Sequence, residues 1–367
     1  MKFLCSRDSL LEAISIVQKA VSTRSTLPIL DGILIEVNSD GMKLTGYDLE
    51  TGIEAVVDAD IVDHGSIVIP SKLFGDIIRK LPDDEVSITS DDRLMISIVS
   101  GSSNFSVKGL SAEGFPTIPT VGDDYKIILQ QGILKDMIRE TIFAISEDEN
   151  RPVLNGSLFE CDGTSINMVA IDGFRMALRK MVLGTELPKM RFVVPGKALH
   201  EAGRILGGKD AEVVISATAN HILFDTGRFR IVSRLINGEY MDYRAILPKN
   251  VVTTMIISPS EMLSAIDRAS LLIQTEERRN PVSLSMKDND TLVISSNTEL
   301  GNLREEVRAD INGDNLAIDF NHRYMIDALR CISDEKVKII FTGANGPAVI
   351  TPFEGDEFSY LILPLRR

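Results

Sequence analysis

Apolar and polar positions follow one grammar in three separate stretches of the chain. The first opens with Met1-Lys2-Phe3-Leu4 and passes into Ser9-Leu10-Leu11-Glu12-Ala13-Ile14. The second opens with Tyr125-Lys126-Ile127-Ile128-Leu129 and passes into Ile133-Leu134-Lys135-Asp136-Met137-Ile138. The third opens with Thr254-Met255-Ile256-Ile257 and passes into Glu261-Met262-Leu263-Ser264-Ala265-Ile266. In each, a short extended run precedes apolar residues spaced i, i+3, i+4 and i+7. That pattern predicts a strand followed by a helix with one buried stripe. Ser9, Ser258 and Ser260 stand where an N-cap hydroxyl is expected.

Strands broken by turn residues continue each stretch: Asn38-Ser39-Asp40-Gly41, Cys161-Asp162-Gly163 and Lys287-Asp288-Asn289-Asp290. A second strand-to-helix transition follows in each, at Ile67–Phe74, Phe192–Leu199 and Leu316–Tyr324, with helix starts about 125 residues apart. Closing strands are predicted at Val86-Ser87-Ile88, Val213-Val214-Ile215-Ser216 and Val337-Lys338-Ile339-Ile340. Order, length and helix position recur together, which identifies an internal repeat. The expected organisation is α+β, in three like domains over residues 1–120, 121–250 and 251–367. The boundaries fall in the Pro-, Gly- and Asp-bearing linkers Pro116–Asp124 and Leu247-Pro248-Lys249-Asn250.

A length of 367 residues accords with two or three domains. Cys5, Cys161 and Cys331 are scattered without a CxxC pair, so neither a disulfide framework nor a zinc knuckle is expected. Arg7 and Asp8 interrupt the start before an apolar h-region develops, and no apolar run approaches the ~18 residues of a membrane span. A cytoplasmic protein is expected, with no membrane partner.

Reactive chemistry finds little support. Gly203-Arg204-Ile205-Leu206-Gly207-Gly208-Lys209 has the GxxxxGK half of a phosphate loop, but Asp210 takes the place of the magnesium-binding hydroxyl and the run follows a helix. A Gly-Gly helix C-cap is the simpler expectation. His64, His200, His221 and His322 have no HxH or HExxH spacing, and the acidic runs Glu147-Asp148-Glu149 and Asp83-Asp84-Glu85 read as solvated loops. No catalytic residue, metal or cofactor is expected.

The net charge of −14 argues against a general affinity for nucleic acid. Its distribution is uneven. The second helices carry Lys72, Arg79 and Lys80 against Asp76, then Lys197, Arg204 and Lys209 against Glu201, then Arg323 and Arg330 against Asp327. Part of this complements helix dipoles. The remainder suggests weakly positive helices on an acidic body.

Several motifs carry a resemblance over the full length: Thr26-Leu27-Pro28-Ile29-Leu30, Thr45-Gly46-Tyr47-Asp48-Leu49-Glu50, Leu154-Asn155-Gly156, Asp172-Gly173-Phe174-Arg175, the run Asp242–Asn250, and the ending Tyr360–Arg366. With them the chain resembles the bacterial β sliding clamps, processivity subunits of the replicative DNA polymerase III. The resemblance implies three repeated DNA-clamp domains, each with two helices packed on antiparallel sheets, closing as a ring in a head-to-tail homodimer around double-stranded DNA. It implies sequence-independent DNA contact at Arg24, Lys72, Arg151 and Lys197. Asp148, where a neutral polar residue is usual, tells against contact from its loop. It further implies a groove for short linear peptides of the polymerase, clamp loader and repair proteins. The matching positions are Leu154, Ile171, Gly173, Phe174, Arg175, Met176, Met241 and Ile246, continuing with Asn321, Tyr324, Leu361, Ile362, Leu363, Pro364, Leu365 and Arg366. Met241, Phe174 and Ala245 depart from the familiar Pro, His and Arg, which implies a reshaped pocket. At the subunit contact, Phe105 and Val107 would meet the partner's Leu271 and Leu272; packing of both leucines inside their own domain is the alternative reading.

Overall fold

Each predicted strand-to-helix transition forms. The structure, a computed structural model, describes residues 1–22, 27–184, 186–208, 210–273 and 281–365. Six α-helices occur among them: α1 (Arg7–Val17), α2 (Ser71–Arg79), α3 (Gln131–Arg139), α4 (Gly196–Ile205), α5 (Pro259–Ser270) and α6 (His322–Arg330). Every pair of paired strands is antiparallel. Each repeat runs strand, helix, hairpin strands, strand, helix and three closing strands. No helix among the described residues is long and apolar enough to cross a membrane.

The chain divides into two compact units, Met1–Lys135 with Lys197–Leu235, and Asp136–Gly196 with Ile236–Arg367. Strand pairing between successive repeats explains why three repeats give two units. In the first unit, Phe229–Arg234 of the central repeat pairs with Thr51–Val57 of the first, and this joins eight strands into one sheet. In the second, Arg175–Val182 pairs with Phe358–Ile362 of the third repeat, within a sheet of twelve. The central repeat is thus shared out, one sheet to each side.

The long strand Gly301–Gly313 serves two sets of neighbours. Its first part pairs with Thr291–Thr298 and its end with Thr253–Ile257. The first repeat breaks the equivalent path at Asp58, leaving Thr51–Val57 and Ala59–Asp63 as separate strands. Phe3, Leu10, Ile14 and Phe74 pack fully buried in the first unit, and Met262, Ile266, Phe320, Met325 and Phe341 in the second. The helical stripes are therefore core.

The helix ends differ from expectation in three places. α1 begins at Arg7, so Ser9 lies inside the helix; Ser6 is the capping position, and its hydroxyl bonds the Asp84 carboxylate at 3.0 Å instead of the helix. Ser258 caps α5 by accepting from the Glu261 amide, whereas Ser260 belongs to the first turn. The end of α4 is not a left-handed glycine cap, since neither Gly207 nor Gly208 has positive φ. Side chains from α3 close it: the Gly207 amide donates to Gln131 Oε1 at 2.7 Å, and Lys135 Nζ donates to the Leu206 carbonyl at 2.9 Å. Gln131 also donates to the Glu212 carbonyl at 2.8 Å. Gly203 and Arg204 lie within α4, which leads from helix toward strand, the reverse of a nucleotide loop; Lys209 is outside the described residues.

Gln131→Ala removes the side-chain partner of the Gly207 amide and the Glu212 carbonyl, both part-buried bonds, and should cost about 1 kcal/mol. The checks are a lower urea midpoint and faster hydrogen exchange over Leu206–Gly208; unchanged exchange there would remove Gln131 as the cap.

Candidate functional site

The positions matched to a peptide groove fall in the second unit, and the fifteen that are described form a packed floor, an exposed rim and a charged turn. Leu154, Ile171, Met176 and Leu361 are buried and pack with Tyr240, Tyr243 and Val349, while Ile246 packs against them half-buried. Ile362 is buried in the neighbouring cluster around Phe320 and Tyr360. These residues are floor. The rim is exposed: Phe174 at 56%, Met241 at 43% and Leu363 at 38%. Aliphatic and aromatic surface of this kind, set over a packed floor, suits anchors of an incoming chain.

Local chemistry holds the rim in place. Asp172 Oδ1 accepts from the amides of Phe174 at 2.8 Å and Arg175 at 3.0 Å, and Gly173 takes φ +95°, a turn that a side chain would strain. Arg175 then reaches outward from the turn. Its Nε meets Asp172 Oδ2 at 2.9 Å, its Nη1 meets Asp327 Oδ2 of α6 at 2.6 Å, and its guanidinium lies 4.4 Å from the Tyr324 ring centroid. Phe174 lies alongside Tyr324, with centroids 6.4 Å apart and planes 23° apart. The turn, α6 and the rim aromatics are one connected arrangement.

The chain end completes it. Arg175 and Met176 stand opposite Ile362 and Leu361 in the ladder. Beyond the strand, the Leu363 amide still donates to the Phe174 carbonyl at 2.9 Å and the Leu365 amide to the Asp319 carbonyl at 2.8 Å. Leu361 and Ile362 are thus a last core strand, whereas Leu363, Pro364 and Leu365 run on the surface. Arg366 is outside the described residues. Asn321 plays a structural part, since its Oδ1 accepts from the Arg323 amide at 2.9 Å and caps α6. Asp327 and Phe143, which hold Arg175, were not singled out from sequence as parts of this site; Phe143 carried no signal there, being one apolar residue among many.

The cations expected at DNA are less free than their count suggests. Lys72 is exposed in the first turn of α2 and, like Lys80, makes no ion pair among the described residues. Lys197 is held by Asp48. Arg79 pairs with Asp76 at 3.0 Å, Arg204 with Glu201 at 2.7 Å and Arg330 with Asp267 at 3.8 Å. Arg151 lies 3.7 Å from Asp148, and its Nη1 lies against Gly173, beside the rim. The Asp148 carboxyl is held below its ordinary pKa, chiefly by the Asn150 amide and side chain and also by Arg151. Arg24 lies outside the described residues.

Two of the sheet edges among the described residues bear on the subunit contact. In the first unit, Ser103–Lys108 is the last strand of a five-stranded sheet; Phe105 is 38% exposed, but Val107 is buried in its own domain. In the second unit, among the described residues, 301–308 pair only with Thr291–Thr298. Near that edge Leu271 is 81% exposed after α5, which rules out the internal-core alternative for this side chain. Leu272 is half-buried, with its Cδ2 3.9 Å from the Cβ position of Gly301.

Three family models cover the chain almost end to end. The N-terminal domain of the DNA polymerase III beta subunit matches residues 1–119, the central domain 128–242 and the C-terminal domain 244–366. The beta sliding clamp of Bacillus subtilis is 38% identical over 379 residues, spanning all of both chains. The solved structure of a DNA polymerase sliding clamp from Bacillus subtilis superposes with a TM-score of 0.95 at 36% identity, covering 100% of this chain and 99% of that one. A sliding clamp from Pseudomonas aeruginosa bound to griselimycin gives 0.93 at 30% identity, with full coverage of both chains.

The α6 cap gives a direct test. Asn321→Ala should cost about 1 kcal/mol through the lost cap, with Asn321→Asp close to the parent. Thermal unfolding followed by circular dichroism checks this; equal loss in both variants would show that the amide nitrogen, not the capping oxygen, is what matters.

Proposed function

The chain belongs to the DNA polymerase III beta subunit family, and from that membership we propose that it is a DNA sliding clamp, a ring that holds the replicative polymerase on duplex DNA. The observation that carries this reading is the full-length match of all three domain types in order, on a chain folded as three clamp domains. The clamp acts by tethering rather than by catalysis, without a resident cofactor, and works in the cytoplasm. Its domains run over 1–120, 121–250 and 251–367.

The open edges support ring formation. An unpaired strand edge invites another strand, and a two-fold dimer satisfies both edges twice. In this reading Ser103–Lys108 of one protomer adds to residues 301–308 of its partner. Phe105 and Leu271 bury their exposed faces there, while Val107 supports the strand from beneath and Leu272 packs behind Leu271.

DNA contact is weak by construction. Lys72 offers an unpaired cation, joined by Arg24, Arg151 and Lys197; the last two must exchange Asp148 and Asp48 for phosphate. Phosphate contacts position a duplex without reading its sequence, and few firm ones leave the ring free to move. The acidic remainder of the chain repels DNA elsewhere.

Partner peptides of the polymerase, the clamp loader and repair proteins dock over the floor of Leu154, Ile171, Met176 and Leu361. Phe174, Met241 and Leu363 supply the exposed anchoring surface, and Gly173, Arg175, Ile246, Tyr324 and Pro364 shape it. Phe174 gives this rim an aromatic where the family has His, which favours partners with a flat apolar side chain at that point. The clamp loader, a separate ATPase, supplies the energy for opening.

Two measurements test the reading. The loaded chain should remain on closed circular duplex and slide off once the circle is linearised; Leu271→Asp should run as a monomer in light scattering and fail to be retained. Retention by a monomeric variant would overturn the ring. Deleting Leu363–Arg367 should abolish binding of a polymerase-derived peptide, since central anchors each contribute about 2 kcal/mol or more. Surviving affinity would move the groove elsewhere.

A further inference from the structure

A cleft of about 310 Å³ in the second unit lies where the strands Gly156–Cys161 and Met190–Pro195 meet the segment that carries Arg244. Lys189, Arg191 and Arg244 line it, together with the carboxylates of Glu160 and Asp162, and buried Met190 and Cys161 give it an apolar wall. None of these residues has a part in the DNA, peptide or dimer readings.

The hydrogen-bonding inventory of the cleft is lopsided. Glu160 is buried and turned toward donors already in the cleft wall. Its Oε2 accepts from the Tyr243 hydroxyl at 2.8 Å and Arg244 Nη2 at 2.6 Å, and its Oε1 from Arg244 Nη1 at 3.5 Å, with Arg191 Nε 4.0 Å away. Asp162 is turned to its own hairpin, accepting from the amides of Thr164 at 3.0 Å and Ser165 at 2.8 Å and from the Ser165 hydroxyl at 2.9 Å. Those bonds draw its pKa down to about 2, so it stays ionised and occupied. What remains unused is donors. Lys189 is exposed and makes no ion pair among the described residues, and Arg191 donates to the Tyr240 carbonyl at 3.0 Å with N–H groups to spare. Arg244 is braced across the Tyr243 ring at 4.5 Å and half-exposed.

Three convergent cations, two of them guanidinium forks, suit a tetrahedral oxyanion better than a single planar one. The volume is at the small end for a small-molecule site, and the wall of Met190 accommodates a short apolar group. We propose that this cleft binds a small phosphate monoester, its oxygens taken by Lys189, Arg191 and Arg244 and its organic end resting on Met190. Arg244 and Arg191 are oriented beforehand by Glu160 and the Tyr240 carbonyl, so binding requires only Lys189 to be ordered.

The test uses the full-length protein labelled at its methionine methyls, with the Met190 resonance assigned by Met190→Leu. Phenyl phosphate should move the Met190 signal saturably and inorganic phosphate should do so more weakly, whereas phenol should not. Lys189→Ala, which removes an exposed and unpaired side chain, should weaken binding about tenfold, the scale of one charge-assisted hydrogen bond. Three results would overturn the proposal: a Met190 signal unmoved by millimolar phenyl phosphate, equal affinity in Lys189→Ala, or tighter saturation by a short oligonucleotide than by phenyl phosphate. The last would assign the cations to a nucleic-acid backbone.

Discussion

The ladder between Arg175–Val182 and Phe358–Ile362 is the constraint on which the rest of the second unit depends. It ties the last strand of the chain to the middle of the sequence. It also buries Met176, Leu361 and Ile362, and it carries Phe174 and Leu363 to the same stretch of surface. A one-residue slip would turn those side chains to the opposite face of the sheet. The register is protected from such a slip by the Asp172 turn on one strand and by the bonds from Leu363 and Leu365 on the other.

Arg175 connects that ladder to α6. Between Asp172 and Asp327, and over the Tyr324 ring, its guanidinium has few alternatives to the geometry it adopts. A lysine would keep the charge but lose the fork and the stacking surface. Asn321 starts the same helix by capping it, so two groove positions that read as peptide contacts also hold the helix that presents Tyr324.

The electrostatics follow a related economy. An acidic chain that must meet DNA cannot do so with its total charge, and even its basic helices are largely neutralised by their own neighbours: Asp48, Asp76, Glu201 and Asp267. What survives is a small number of exchangeable cations. That is the condition for holding a polyanion loosely, because apart from Lys72 and Lys80 each of these cations must give up an existing partner to meet a phosphate. Around Glu160 the balance tips the other way, and cations outnumber free acceptors in one small cleft.

Much was written in the chain itself. The threefold recurrence of strand and amphipathic helix, the turns at Asn38–Gly41 and Cys161–Gly163, and the capping serine at Ser258 are all local. Each depends on spacing within a few residues, where side-chain periodicity and backbone preference act directly. The motifs Asp172-Gly173-Phe174-Arg175 and Tyr360–Arg366 could be marked as belonging to a site on resemblance alone. Only the tertiary structure decided that these two segments lie side by side, that Leu361 and Ile362 are floor while Leu363 is rim, and that Lys197 is engaged while Lys72 is not. It also decided that the three repeats divide into two units. These outcomes turn on pairings between residues far apart in the chain, such as Lys197 with Asp48 and Leu363 with Phe174, and no periodicity in one segment specifies its distant partner.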